Sequence, residues 1–466
     1  MDIEEAIFSH PNSSIDRILS RIGFGRYQLM VLCLCGAFLM AEGAELLIVT
    51  LMSSVLQKEW NLSLEVVEFM GGILFLGTAI GTLIAGPLGN AFGRRKCMVF
   101  SSLSYCIFAV TSAFMPDIWT FVCTRLFLSI SLGVLVPIGT TLIVETGIEN
   151  SRGLSVLAGQ MLYQVGTTMV ILLGLALVPN LDPLYWRELL LLAAWPAFFS
   201  TIFLVFLLDE SPRWLAMNDQ HDKCVKILNK IARINNARRI TVEEIEAVKL
   251  IEKSEAENHL DRLGLVFGGD YLRITLQGFF LWWAIGFLYY GCVFILPRTL
   301  GSDSSDGDVL TNLAIMSVIQ SPLSLIPMFL IEQDKFGRKN TIVLVSVFHL
   351  GTSLLCAFKW TNTLYYSFVM GLQICGMVNS DVIVPYTNEL YSTSVRTTGY
   401  SLCFTFMNIA AISSPFVLLT LHQMNPMYPY YAFAGVAALN LVNGCFLKKE
   451  SNLGSLDTFI VSINKI

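Results

Sequence analysis

The stretch NAFGRR, residues 90–95, decides the fold because it has a second copy, DKFGRK, at residues 334–339. Further along the chain, ETGIENSR at residues 145–152 has its copy in ELYSTSVR at residues 389–396. Both pairs are separated by the same 244 residues, so chance is a poor explanation and the chain is predicted to contain two structural repeats. The matched positions are Asn90, Gly93, Arg94, Glu145 and Arg152 in the first copy and Asp334, Gly337, Arg338, Glu389 and Arg396 in the second.

The composition around these repeats is that of a membrane protein. Of the 466 residues, 54% are hydrophobic and only 14% are charged, and the mean hydropathy is +0.63. Apolar stretches long enough to cross a hydrocarbon core of about 30 Å recur twelve times. We place these spans at residues 27–51, 67–89, 97–115, 119–144, 154–178, 187–208, 272–296, 310–331, 341–358, 364–388, 399–421 and 428–447.

The basic residues predict the orientation, because Lys and Arg are retained in loops on the cytosolic side of a membrane. With the N-terminus in the cytosol, all but five of the 30 Lys and Arg residues fall on that side, and the even number of spans returns the C-terminus there as well. A polar segment after span six divides the chain. We expect an N-terminal six-helix bundle at residues 1–208, a cytosolic helical linker at residues 209–270 and a C-terminal six-helix bundle at residues 271–466.

Two stretches of the linker predict helices. HDKCVKILNKIARI has apolar residues at helical spacing. Thr241 followed by Glu244 is typical of a capping box, which would begin the helix of TVEEIEAVKLIEK. We interpret the linker as an amphipathic connection that packs beneath the two bundles.

The repeated motifs predict one charge cluster in each half of the chain. An arginine-bearing turn follows the second span of each half, and a glutamate ends the fourth span on the same side of the membrane. Arg94 can therefore pair with Glu145, and Arg338 with Glu389. A parallel repeat of six helices is how one family of transporters builds two domains that rock about a central site, and we expect these clusters to hold the cytosolic ends together when that site faces outward. Because the first copy has Asn90 where the second has an aspartate, we expect the first cluster to be the weaker one.

The longer forms of these motifs, GPLGNAFGRRK, EQDKFGRKNTI, LDESPRWL and YTNELYSTSVRTTGYS, resemble the signatures of the major facilitator superfamily. SPRWL after span six, WWAIGFLYYG in span seven and AEGAEL in span one are most similar to the branch with synaptic vesicle protein 2-related proteins and organic cation transporters. The resemblance implies an all-α membrane protein with twelve transmembrane helices in two pseudo-symmetric six-helix bundles. It also implies a gating role for the repeated residues and for Arg213, and it marks Asn90 as a departure from the aspartate of the family.

The sequence gives no sign of an enzyme, a nucleotide-driven pump or a metal site. It contains no G-x-x-x-x-G-K-[ST] phosphate loop, so transport would be secondary. The 11 cysteines are scattered without a C-x-x-C pair, and we expect no metal and no cofactor. We expect a monomer in the lipid bilayer of the plasma membrane or of an intracellular vesicle. Its expected partners are a small-molecule solute and a proton or other coupling ion, and no nucleic acid.

Two acidic residues, Glu42 and Glu45, interrupt the otherwise uncharged apolar run of span one. An acidic side chain at the centre of a membrane helix costs about 3 kcal/mol, so it must face water, a cation or a proton. Because the two glutamates are three residues apart, we expect them to share one helical face and one environment. We expect Glu42 to be the principal site for a cation or a coupling proton, and Glu45 to keep the outer mouth negative. The alternative for Glu45 is a solvated position without a role.

Other polar and aromatic residues within the spans are candidate partners of these glutamates. Arg125 in span four matches the fourth-helix arginine of the family and is the expected partner of a carboxylate. Asp381 in span ten either lines the lower cavity or hydrogen-bonds a neighbouring helix. Aromatic faces attract organic cations by about 0.5 to 2 kcal/mol each, although a dense aromatic patch is also ordinary helix packing. The further candidates are Tyr163 and Gln164 in span five and Trp282, Trp283, Tyr289 and Tyr290 in span seven.

The favoured function is secondary active transport by alternating access, with proton coupling, of a small organic solute that is cationic or zwitterionic. A sugar or another solute carried with a proton is the first alternative. The second alternative is a non-transporting binding or regulatory protein of vesicle membranes. Acidic and aromatic groups that face a central cavity would favour transport, whereas a dry and fully packed centre would favour the binding protein.

The predicted topology can be tested with single cysteines in a cysteine-free chain. Cysteines introduced at Ser254 in the linker and at Ser304 after span seven are expected to react with an impermeant maleimide from opposite sides of the membrane. The reason is that one span separates them. Labelling of both positions from the same side would contradict the twelve-span topology.

Overall fold

The computed structural model describes residues 12–148, 151–178, 183–249, 259–301, 306–323, 325–326, 337–358, 362–391 and 395–447. These residues form helices joined by short turns. In chain order the helices are α1 Asn12–Ile22, α2 Arg26–Trp60, α3 Leu64–Phe92, α4 Arg94–Ala113, α5 Ile118–Thr146, α6 Arg152–Leu177, α7 Trp186–Leu207, α8 Pro212–Met217, α9 His221–Ile234, α10 Val242–Lys249, α11 His259–Val266, α12 Gly269–Gly301, α13 Asp306–Leu323, α14 Gly337–Cys356, α15 Asn362–Leu390, α16 Arg396–Met424 and α17 Tyr428–Cys445.

The long helices occupy the positions of the predicted spans. Among the residues described, ten helices are long and apolar enough to cross a membrane, and α13 and α17 stand at the two remaining predicted positions. Some predicted spans are shorter than the helices that the structure shows. α2 continues to Trp60 rather than to residue 51, and it ends at Asn61, which adopts a left-handed conformation with a φ of 48°. The end of the eighth predicted span and the predicted gating residue Asp334 lie outside the described residues.

The long helices form two groups of six that meet along two seams. In the first group α2 packs on α6 and α3 packs on α5, whereas in the second group α12 packs on α16 and α14 packs on α17. Across the groups α3 contacts α16, and α6 contacts α13. Small residues permit the close crossings within a group. A Cβ atom added to Gly81 of α3 would lie 2.2 Å from the carbonyl oxygen of Ile130 in α5.

The linker forms short helices at one end of the bundle, which we call the linker face, and the opposite end is the far face. α9 and α10 cover stretches that the sequence predicts as helical. The predicted capping box is present at the start of α10. The backbone N–H of Glu244 donates to Thr241 Oγ1 at 3.3 Å, and the backbone N–H of Thr241 donates to the Glu244 carboxylate at 2.7 Å.

α1 is an amphipathic helix on the linker face that was not predicted from the sequence. Its apolar residues Ile15, Ile18, Leu19 and Ile22 follow helical spacing and are all buried. In its last turn, the Arg21 guanidinium forms an ion pair with the Glu244 carboxylate of α10 at 2.7 Å. α1 is therefore packed on the linker and is a part of the fold.

Asp16 fastens α1 to the first group of helices. Its carboxylate accepts hydrogen bonds from the guanidinium groups of Arg152 at the start of α6 and Arg213 in α8, and all three side chains are buried. Burial alone would raise the pKa of Asp16, but the positive charges of Arg213 and Arg152 outweigh burial and hold this pKa below its ordinary value. Two predicted gating arginines thus share a counterion that the motifs did not reveal.

We expect Asp16→Asn to lower the free energy of unfolding by about 3 kcal/mol, because two buried guanidinium groups lose their counterion. The stabilising charge of Asp16 is fully present above a pH of about 4 and is lost as the pH falls through the lowered pKa, so acid should weaken the wild type more than the variant. Thermal unfolding in detergent is the measurement. Asp222→Asn, at an exposed position of α9, is the matched control. Equal melting temperatures for all three proteins would contradict the role of Asp16.

Candidate functional site

A cavity lies between the two groups of helices, at the middle of the long helices. The first group contributes lining residues from α2, α5 and α6, and the second group from α12, α15 and α16. The polar and aromatic lining consists of Glu42, Gln160, Tyr163, Gln164, Trp282, Tyr289, Tyr290, Ser380, Asp381, Tyr400 and Phe404, and Val136, Met377, Val384 and Met407 complete the wall.

Glu42 and Asp381 bring two carboxylates to this cavity from opposite groups. Among the described residues, no ion pair joins either carboxylate to a basic side chain. The described lining contains no Lys, Arg or His. Of the two positions that the sequence left open for Asp381, the structure places this residue in the cavity wall.

Close helix packing positions Glu42. A Cβ atom added to the adjacent Gly43 would lie 2.1 Å from the Tyr163 carbonyl oxygen, and one added to Gly166 would lie 1.9 Å from the Met40 carbonyl oxygen. Only glycine permits this approach of α2 and α6. The two glycines therefore hold the Glu42 helix directly against the helix of Tyr163.

Glu45 does not share the environment of Glu42, so this expectation was wrong. Its side chain is 3% exposed, forms a 2.5 Å ion pair with Arg125 of α5 and accepts a hydrogen bond from the Tyr105 hydroxyl at 3.2 Å. Three residues advance a helix by about 300°, which leaves two side chains about 60° apart. Here that offset directs Glu42 to the cavity and Glu45 towards α4 and α5. The expected pairing of Arg125 with a carboxylate is present, but Glu45 is neither at an open mouth nor solvated.

The aromatic residues of the seventh span divide between two faces of α12. Trp282, Tyr289 and Tyr290 line the cavity. Trp283 is not part of the lining, and its ring stacks on Phe287 with centroids 5.7 Å apart. Successive residues of a helix point about 100° apart, and here Trp282 faces the cavity while Trp283 points away from it. Trp283 is therefore a packing residue and is no longer a candidate for binding the solute.

Arg94 and Glu145 form a buried ion pair on the linker face. Two guanidinium nitrogens donate to the carboxylate at 2.8 and 3.1 Å, and the side chains are 2% and 0% exposed. Arg94 also donates to Asn90 Oδ1 and to Thr397 Oγ1, both at 3.3 Å, and Asn90 Nδ2 donates to Thr398 Oγ1 at 3.2 Å. The first cluster therefore reaches across the seam from α3 and α4 to α16.

The second cluster pairs Arg338 with Glu389 at 2.5 Å, but it is more open, because the side chains are 11% and 14% exposed. Burial favours the opposite order to the one expected from the sequence, since the cluster that contains Asn90 is the more deeply buried. An amide can donate and accept at once, whereas a carboxylate only accepts. Asn90 therefore adds a contact across the seam that an aspartate could not donate.

The remaining gating candidates also lie on the linker face where they are described. Arg152 and Arg213 bind the carboxylate of α1. Arg396 donates from Nε to a backbone carbonyl of α15 at 2.9 Å. Gly337 begins α14 with a φ of 55°, a conformation that favours glycine. Asp334 stays a sequence-based candidate.

Glu210, in the LDESPRWL motif, is a residue that the sequence analysis missed. Its carboxylate accepts hydrogen bonds from the backbone N–H groups of Arg94 at 2.8 Å and Arg95 at 3.2 Å, which begin α4 and have no partner within that helix. Burial raises the pKa of Glu210 above its ordinary value, although these hydrogen bonds oppose it. A Cβ atom on Gly93 would lie 2.3 Å from Glu210 Oε2, so glycine at this repeated position leaves room for the contact.

Because the first cluster is more buried and crosses the seam, we expect Glu145→Gln to open the linker face more than Glu389→Gln does. Removing one partner of a buried pair costs about 3 to 5 kcal/mol, so the reaction of a Ser380→Cys thiol in the cavity with a reagent added from that side should accelerate at least about tenfold. Thiol labelling in a cysteine-free chain is the measurement. Glu188→Gln, at an exposed position of α7, is the control. Equal acceleration by both variants, or the opposite order, would contradict this ranking of the clusters.

Comparison with known proteins finds a matching family profile, related sequences and a similar solved structure. The sequence profile described as "Sugar (and other) transporter" matches residues 44–459. The synaptic vesicle 2-related protein of Xenopus laevis is 24% identical over 95% of this chain and 83% of its own length. The organic cation/carnitine transporter 7 of Arabidopsis thaliana is 25% identical over 88% of each chain. The structure of the proton:xylose symporter XylE bound to 6-bromo-6-deoxy-D-glucose has a TM-score of 0.76 at 17% identity, and it covers 94% of this chain and 99% of that chain.

The profile match extends over most of the chain, and the similarity of fold covers nearly all of it. The helices in two groups, the central cavity and the repeated loop motifs agree with both findings. The chain is therefore a multi-pass membrane protein and not an enzyme. It belongs to the sugar (and other) transporter family of the major facilitator superfamily, with twelve transmembrane helices in two pseudo-symmetric six-helix bundles, and it is a transporter of sugars or other small organic solutes.

Proposed function

We propose that this transporter carries a small organic cation or zwitterion by secondary active transport coupled to protons. The observation that carries the proposal is the cavity that contains Glu42 and Asp381 and, in its described lining, no basic side chain. The relative named an organic cation/carnitine transporter supports the same substrate class. In this proposal residues 1–208 and 271–466 are two units that rock about the cavity, joined by the linker at residues 209–270.

Two acidic side chains at the centre of a membrane protein must be protonated, hydrated or paired with a cation. One acidic side chain at a helix centre costs about 3 kcal/mol, and two carboxylates in one cavity also repel each other. A cationic solute offsets both effects. An anionic solute would add to the repulsion, and a neutral solute would leave the carboxylates without a counterion. An ammonium or pyridinium group near Glu42 and Asp381 therefore matches the charge of the cavity.

The aromatic lining suits the rest of such a solute. The rings of Trp282, Tyr289 and Tyr290 stand in the wall contributed by α12. Each aromatic face attracts a cation by about 0.5 to 2 kcal/mol, the larger value applying where water is excluded. Met377 and Met407 add polarizable apolar surface that adapts to an organic body.

The presence of two carboxylates also provides for proton coupling. Glu42 can hold the cation while Asp381 carries the proton, which is the division of roles that symport requires. In this proposal Glu45 takes no part in binding, because its charge is already paired with Arg125. The role of Arg125 is then to neutralise Glu45, so that Glu45 does not compete with Glu42 and Asp381 for the cationic solute.

A sugar or another neutral solute carried with a proton is the second candidate. The lining residues Gln160, Gln164 and Tyr400 can hydrogen-bond hydroxyl groups, and a proton:xylose symporter has a similar fold. A non-transporting vesicle protein has less support, because the centre is a polar cavity rather than a packed apolar core. The synaptic vesicle 2-related relatives support an intracellular vesicle as one location, the plasma membrane being the other, with both termini in the cytosol.

Uptake by purified protein in liposomes tests the proposal with a panel of labelled organic cations, zwitterions and sugars. We expect the wild type to accumulate at least one cation or zwitterion when an inward proton gradient is imposed. Glu42→Gln keeps the size of the side chain but removes its charge, so concentrative uptake should fall to the level of empty liposomes while the protein still folds.

Glu59→Gln is the matched control, because Glu59 lies on the same helix at an exposed position. This control should retain wild-type uptake. Accumulation at the wild-type rate by Glu42→Gln would overturn the assignment of Glu42. Accumulation of sugars alone would favour the second candidate.

A further inference from the structure

A second cavity adjoins the central one. Gln164 and Tyr289 line both cavities, so the two spaces are neighbours. Its other lining residues lie further towards the far face on α2, α6 and α12, together with residues of α13 and α15. Like the central cavity, it is bounded by both groups of helices.

Three glutamine side chains converge on this second cavity, namely Gln164 of α6, Gln320 of α13 and Gln373 of α15. Each has a buried amide atom without a hydrogen-bond partner among the described residues, and these atoms are Gln164 Oε1, Gln320 Nε2 and Gln373 Oε1. The one contact between them joins Gln164 Nε2 to Gln320 Oε1 across the seam at 3.5 Å, which is long for a hydrogen bond. The cluster therefore presents two acceptors and one donor to whatever enters the cavity.

The hydroxyl groups of Thr167 and Ser317, which also line this cavity, already have hydrogen-bond partners. Thr167 Oγ1 donates to the Gln164 backbone carbonyl at 2.7 Å, and Ser317 Oγ donates to the Ala314 carbonyl at 3.0 Å. These hydroxyls are thus satisfied by their own helices. A buried amide atom that stays unpaired costs about 1 to 3 kcal/mol. Three such atoms in one cavity are therefore costly unless a ligand supplies their hydrogen-bond partners. The glutamines are therefore the groups that a ligand would engage.

The remaining wall excludes a charged ligand group. No charged residue lines this cavity among those described, and besides Tyr289 its other large lining residues are the apolar Leu46, Leu47, Ile171, Val293, Leu313 and Met316. Moving a charge into such surroundings without a counterion is costly. The group that fits is neutral and offers both hydrogen-bond donors and an acceptor.

We propose that the three glutamines bind a neutral carboxamide or hydroxyl group of the transported solute, whose cationic part occupies the central cavity. A carboxamide fits the count of free atoms, because its two N–H donors match the Oε1 atoms of Gln164 and Gln373 and its carbonyl oxygen matches Gln320 Nε2. This inference rests on the proposed function for the cation, and it defines the substrate class as a cation with a neutral hydrogen-bonding substituent. Because Gln164 and Gln320 belong to different groups of helices, the bound substituent also connects the two groups at this level.

The test compares two cations of similar size and shape. One is the ring-N-methylated cation of nicotinamide, which carries a carboxamide, and the other is its analogue with an ethyl group in place of the carboxamide. We expect the wild type in liposomes to take up the first at least about tenfold faster at low concentration, since one or two hydrogen bonds to buried groups supply that difference. In Gln320→Met and Gln373→Met the carboxamide compound should lose this advantage, while uptake of the ethyl compound stays the same or rises.

Retained uptake of the ethyl compound shows that the variants fold and transport. Ser317→Ala is the matched control, because its hydroxyl lines the same cavity but is already bonded to its own helix. It should keep the wild-type preference. Equal uptake of both cations by the wild type would overturn the glutamine site and leave the proposed cation transport standing, and so would an unchanged preference in both methionine variants.

If the wild type takes up neither cation, the proposed cation transport fails for this solute and the glutamine site is judged by neutral compounds alone. In that case nicotinamide should raise the melting temperature of the wild type more than its ethyl analogue does, and Gln320→Met should abolish the difference. No difference between the neutral compounds in the wild type would overturn the glutamine site as well.

Discussion

A charged side chain inside a membrane must have a counterion, and this constraint organises the buried charges of the transporter. Glu45 is paired with Arg125, Glu145 with Arg94, and Glu389 with Arg338. Glu42 and Asp381 depart from this rule among the described residues, and both face the same cavity. Three of these acids are thus paired within the protein, and two have no ion pair among the described residues. That difference separates the acids that build the bundle from those that we propose to bind the solute.

The helices that hold the cavity also contact each other across the two seams. On the linker face the cluster of Arg94, Asn90 and Glu145 contacts α16 through two threonine hydroxyls. Towards the far face the hydroxyls of Thr168 and Ser321 meet at 2.8 Å between α6 and α13. Each of these hydrogen bonds across the seams has a modest net strength. Such contacts can be exchanged at low cost, as a rocking mechanism between two bundles requires.

The sequence predicts the parts of this structure that depend on composition and local pattern. Hydropathy and the repeat predict the spans and the two groups. The capping box at Thr241 could be predicted because its two residues are only three positions apart in the sequence. The sequence could not predict α1, since the burial of Ile15 and its neighbours depends on contacts with the distant linker. Nor could it separate Glu42 from Glu45, or Trp282 from Trp283, because helical spacing fixes relative directions but not which direction faces the cavity. Glu210 was visible within a quoted motif, yet its role depends on the distant turn at Gly93.

The central claim is that Glu42 and Asp381 bind a cation together with protons. Titration calorimetry of the purified protein with an organic cation, in two buffers that differ in ionisation enthalpy, measures whether protons are released or taken up on binding. The account predicts saturable cation binding with a net change in bound protons that disappears in a protein lacking both carboxylates. Saturable binding of a neutral sugar with no proton change, and no binding of any cation, would contradict it.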